Sequence, residues 1–64
     1  MKIRDLINEF INPYLVGTIK IYDDSNDLVY EGDPDKDMPS LHVLNLSVRC
    51  IYPINDSISG INCN

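Results

Sequence analysis

The sequence predicts an α+β fold: an N-terminal helix packed on a small antiparallel sheet of about four strands, in the order α-β-β-short helix-β-β. Three observations carry this. Apolar residues near the N-terminus recur with helical period. Three later runs alternate apolar and polar. Clusters of Asp, Asn, Ser and Gly separate the runs. At 64 residues the chain forms one domain, spanning 1–64.

Residues 2–11 form the clearest helix. Ile3, Leu6, Ile7 and Phe10 follow the i, i+3, i+4, i+7 pattern, and Ile11 widens the stripe. Arg4, Asp5, Asn8 and Glu9 fill the other face. Asn12-Pro13 is expected to end the helix, because a residue before proline is pushed out of the α region. So short a helix is held by packing rather than by propensity. Its polar face is not basic, which argues against a membrane-surface role.

Tyr14-Leu15-Val16-Gly17 leads into a first strand at 18–22, with Ile19 and Ile21 on one face and Thr18, Lys20 and Tyr22 on the other. Asp23-Asp24-Ser25-Asn26-Asp27 is a turn, since these short polar side chains bond their own backbone. A second strand at 28–31 completes a hairpin. Its register is left open between Val29 inward and the Leu28/Tyr30 pair inward. Residues 32–38 cross the surface. Pro39 suits the first position of a short helix, with Asp37 a better cap than Met38, and the turn 40–44 is expected to bury Leu41 and Leu44. The strongest strand pattern is 46–52, with Leu46, Val48, Cys50 and Tyr52 on one face; Pro53 ends it. Asn55-Asp56-Ser57 is a turn, and 58–63 is read as a final edge strand with Ile61 and Cys63 inward.

The net charge of −5 bounds function. Lys2, Arg4, Lys20, Lys36 and Arg49 are scattered, which excludes the clustered cations that phosphate backbones require. No run approaches the roughly 18 apolar residues of a membrane span. Met1-Lys2-Ile3-Arg4-Asp5 carries charge at once and has no secretory pattern, so the expectation is a cytoplasmic chain with reduced thiols. So small a domain has little material for the walls of a catalytic cleft, and a non-enzyme is expected.

The charge is concentrated. Seven of the ten acidic residues fall between Asp23 and Asp37, against one lysine. Asp23, Asp24, Asp27, Glu31, Asp33, Asp35 and Asp37 form the candidate partner-binding face, and Tyr22 and Tyr30 on the same hairpin are candidate aromatic anchors. Carboxylates on a small rigid scaffold attract Arg and Lys and steer capture. Equally, the acids could serve solubility alone and the tyrosines could be half-buried sheet residues.

Other chemistry is thin. Asp33-x-Asp35-x-Asp37 has the spacing that opens an EF-hand loop, but Met38 stands where the turn glycine belongs and Leu44 where the closing Glu belongs. His42 lacks nearby co-ligands, and with two distant cysteines it makes a poor zinc site. Cys50 and Cys63 are read as two buried thiols on adjacent strands. No cofactor and no metal is expected.

The N-terminal helix, "TIKIYDDSNDLVYEGD", "DMPSLHVLNLSVRCIYPIND" and a terse last strand together resemble a class of tiny, uncharacterised acidic proteins of Gram-positive bacteria and their phages and prophages. The resemblance implies a mobile-element context, in which small acidic proteins bind and inhibit host or defence proteins. It carries no catalytic residue. The expectation is therefore a non-enzymatic interaction module that binds a protein with a basic surface through its acidic loops. One alternative is a structural subunit that forms a homo-oligomer by sheet extension. Another is a weak calcium-binding module.

Overall fold

The computed structural model describes residues 1–8 and 18–64 in full and the helical backbone of 9–14. The side chains of Phe10 and Ile11, and the lead-in 15–17, lie outside the described residues.

Helix α1 spans Ile3–Tyr14. The Lys2 N–H donates to Asp5 Oδ2 at 3.2 Å, so Asp5 binds a free amide at the positive end of the helix. Ile3 and Leu6 are buried and Ile7 packs on the same core, while Arg4, Asp5 and Asn8 face outward. The helix outruns the expected stop, because Asn12 and Pro13 lie in its last turn. The bias before a proline is a preference, and it is outweighed here at a helix end.

Strands β1 (Thr18–Tyr22), β2 (Leu28–Gly32), β3 (Val48–Pro53) and β4 (Ile58–Cys63) form one sheet in the order β2-β1-β4-β3. The α+β class and element order are as the sequence predicts, but the sheet is mixed. Both hairpins are antiparallel, and they dock through a parallel β1/β4 pair. Thus β4 is interior rather than an edge, and β2 and β3 are the edges. Alternation and turn residues specify each hairpin, but not the strand by which one hairpin meets the other.

One face of the sheet carries Ile19, Ile21, Ile61 and Cys63. These join Ile3, Leu6 and Val43 in the buried core, with Val29, Tyr30, Leu44, Leu46 and Val48 packed around them. Each fully buried aliphatic side chain stabilises by roughly 1.5–3 kcal/mol.

Two bulges set which residues reach that core. Ile21 pairs with Tyr30 and Tyr22 with Leu28, so Val29 is an extra residue in β2. This resolves the open register: Val29 and Tyr30 both pack on the core, and Leu28 is exposed. In β3, Val48 pairs with Cys63 and Cys50 with Asn62, so Arg49 is the extra residue. Beyond Arg49 the alternation inverts. Ile51 now pairs with Ile61 on the core side, and Cys50 and Tyr52 turn to the other face. The expected shared face of Val48, Cys50 and Tyr52 is corrected accordingly.

Helix α2 spans Leu41–Leu44, and Ser40 holds its N-cap position in extended conformation without a side-chain hydrogen bond to the helix. Pro39 precedes the cap instead of opening the helix, and neither Asp37 nor Met38 is the cap. The later start shifts the phase: Val43 is buried, Leu44 is half-buried, and Leu41, expected inside, is 72% exposed.

Candidate functional site

The acidic residues divide between the two ends of edge strand β2. Asp23, Asp24 and Asp27 occupy the β1–β2 loop. Asp33, Asp35 and Asp37 occupy the loop that follows β2. Glu31 lies within the strand.

Within the first loop, Asp23 organises the turn. Its Oδ1 accepts the backbone N–H groups of Ser25 and Asp27, each at 3.0 Å. Its main chain closes the loop through Asp23 N–H to the Asp27 carbonyl at 3.0 Å, and Asn26 N–H to the Asp23 carbonyl at 2.9 Å. Asn26 takes a positive φ of 65°, a conformation that asparagine tolerates better than most residues.

The second loop repeats the device. Asp33 Oδ1 accepts the Asp35 N–H at 2.9 Å, and the Asp33 carbonyl accepts from Lys36 at 3.0 Å and Asp37 at 2.9 Å. Pro34 is buried beneath it, while Asp35, Lys36 and Asp37 are exposed. The Tyr30 hydroxyl donates to the Asp37 carbonyl at 2.5 Å and ties the loop back to β2. Burial, then the negative charges of Asp37 and Asp33, push the Tyr30 phenol above its ordinary 10.0.

The seven candidate acids therefore have different jobs. Asp23 and Asp33 spend carboxylate oxygens on turn geometry. Glu31 faces Lys20 across the β1–β2 pair and bridges to it at 3.4 Å. Among the described residues, the carboxylates of Asp24, Asp27, Asp35 and Asp37 make no side-chain hydrogen bond or ion pair. Two of these lie at each end of β2.

The two candidate tyrosines lie on opposite faces of the sheet. Tyr30 sits with Ile21 on the core face, whereas Tyr22 is the neighbour of Ile21 and faces the other way. They do not form one aromatic patch. Asp33, Asp35 and Asp37 share a loop, but among the described residues no group of three or more His, Cys, Asp or Glu converges as a metal site.

The cysteines are also separated. Cys63 is buried, with its thiol pushed above the ordinary 9.0 by burial, then by Asp23 and Cys50. Cys50 is exposed on the opposite face. The expected pair of buried thiols is thus corrected to one buried and one exposed. The inversion at Arg49 is the cause.

One surface was not anticipated from the sequence. A cleft of about 310 Å³ opens between α1 and α2, lined by Arg4, Ile7, Asn8, Met38, Leu41 and Leu44. Met38 and Leu41 are strongly exposed there. Arg4 Nη2 donates to Asn45 Oδ1 at 2.7 Å. The lining contains no nucleophile and no acid–base pair. No helix among the described residues is long and apolar enough to cross a membrane. No family model, curated protein or solved structure matches the chain.

Proposed function

We propose that this chain is a non-enzymatic interaction module that binds a basic surface of a protein partner through the carboxylates at the two ends of β2. The observation that carries the reading is the freedom of Asp24, Asp27, Asp35 and Asp37 on loops whose backbones are already fixed. Asp23, Asp33 and Tyr30 hold those loops before any partner arrives, so little ordering entropy opposes binding. Four uncompensated charges on a chain of net charge −5 steer a cationic surface toward the β2 edge of the sheet. In the mobile-element setting implied by the sequence resemblance, the module acts in the cytoplasm and inhibits a host or defence protein by covering its basic surface.

The test is capture from a Gram-positive lysate by the immobilised chain and by an Asp24→Asn, Asp27→Asn, Asp35→Asn, Asp37→Asn variant. Asp23 and Asp33 are left in place, so both turns survive. One protein held at low salt, released as salt rises and lost by the variant is the expected result. Equal capture by both chains, unaffected by salt, would remove the acidic loops from the function.

A further inference from the structure

The two edges of the sheet are not equivalent. The start of β3 is covered, because Lys2 bridges to Ser47 and the Val48 N–H donates to the Met1 carbonyl at 2.7 Å. The Ile3 N–H donates to the Leu46 carbonyl at 3.0 Å on the same side. Further along, β3 is broken by the extra residue Arg49, and it ends in Pro53. Cover, bulge and proline are the devices by which proteins close an edge. β2 has the bulge at Val29 and a positive φ of 155° at its last residue, Gly32, but no proline. From Tyr30 to Gly32 its pairing with β1 is regular, and among the described residues nothing pairs with its outer side.

We infer that β2 is a strand-acceptor edge: an extended, basic segment of the protein partner adds to it as a fifth strand, its cationic side chains set against Asp24 and Asp27 at one end and Asp35 and Asp37 at the other. This rests on the acidic-loop reading above and specifies how the partner is held. Backbone groups on the free edge supply the hydrogen bonds, and the two carboxylate pairs set position and charge preference. A strand of five residues spans roughly 17 Å. The fitting segment therefore carries Lys or Arg in two groups about five residues apart. The charge favours a basic segment over a second copy of this acidic chain, and β2 over β3, whose strand residues carry Arg49 and no acid.

The probe is a nine-residue peptide with two lysines at each end and five alternating threonines and valines between them. Its control has alternate central amides N-methylated, which keeps every charge but removes the donors a strand partner needs. The expected result is binding of the parent peptide with slowed hydrogen exchange at Leu28–Gly32. The control, and the Asp24→Asn, Asp27→Asn, Asp35→Asn, Asp37→Asn variant, should each bind at least about tenfold more weakly. If the control binds as well as the parent, strand addition is overturned and the acidic-loop reading stands. If the variant binds as well as the original chain, the carboxylates are not the recognition element and both readings fall. No binding at millimolar peptide overturns strand addition. So does slowed exchange at Leu28–Gly32 in a self-associated free protein, because a second copy would then hold the edge.

Discussion

The ring of Tyr52 lies across Gly60 on the sheet face opposite the core. The two residues pair directly between β3 and β4. A Cβ on Gly60 would sit 2.8 Å from the Tyr52 hydroxyl and closer still to the ring carbons. The glycine is there for space, since its φ lies outside the left-handed region. Gly60→Ala is expected to displace the ring and cost about 1–2 kcal/mol. In a Tyr52→Ala background the same change should be neutral or slightly stabilising, because alanine loses less backbone freedom on folding than glycine. A double-mutant cycle from urea melts measures the difference. Equal costs in both backgrounds would mean that the ring does not set the choice of glycine.

Ile61 lies fully buried in interior strand β4, opposite Ile21 on one side and Ile51 on the other. Ile61→Val should cost about 1 kcal/mol and Ile61→Ala about 2–5 kcal/mol. Against a total of about 3–10 kcal/mol for an ordinary domain of 64 residues, the alanine variant should lose roughly half of its stability and melt far below the original. The valine variant should fold and melt about 4–8 °C lower. If β4 were an edge strand, both changes would be far milder, so thermal melts of the pair check its interior position.

These features were unequally legible in the sequence. The Ile19/Ile21 and Ile61/Cys63 alternations point to the core directly, because every second residue of a strand faces one way. Ser59, Gly60 and Asn62 make β4 look like an edge, yet they stand between two strands because Gly60 gives room to Tyr52 and Asn62 pairs with Tyr22. The extra residue at Arg49 has no marker of its own in a run of alternating residues. One inserted position there reversed Cys50, Ile51 and Tyr52 together. The acidic loops are plain from their turn formers, but the division of labour among the acids is not. Asp23 and Asp33 each bond an amide two residues on, the usual habit of an aspartate opening a turn. That habit was a usable signal for separating them from Asp24, Asp27, Asp35 and Asp37.

The contrast between Asp23 and Asp24 follows. Asp23→Ala removes the acceptor of two backbone amides and should cost about 1 kcal/mol. Asp23→Asn keeps a carbonyl oxygen for the turn and should cost much less. Asp24→Ala, which breaks no side-chain hydrogen bond or ion pair among the described residues, should fall within about 0.5 kcal/mol of the original. Chemical denaturation of the three variants checks the order. A destabilised Asp24→Ala beside an unaffected Asp23→Ala would reverse the assigned roles.

Thiol chemistry and alkaline stability test the two faces of the sheet together. A thiol reagent should modify Cys50 at once in the native protein and Cys63 only as the chain unfolds. Two thiols both protected in the native protein would contradict the bulge at Arg49, and two thiols modified together would contradict the burial of Cys63. The raised titrations of Cys63 and Tyr30 also fix a pH dependence. Near neutrality both groups hold their protons in the folded and unfolded chain, so they contribute no slope. Above about pH 9 the unfolded Cys63 thiol releases its proton while the folded one keeps it, and near pH 10 the same becomes true of Tyr30. The unfolded state then binds fewer protons, and stability falls as pH rises. Tyr30→Phe removes the second of these groups together with its bond to the Asp37 carbonyl. It should lower stability at pH 7 and flatten the decline above pH 10. Urea melts between pH 7 and 10.5 measure both effects, and an unchanged alkaline slope in Tyr30→Phe would exclude the phenol as its source.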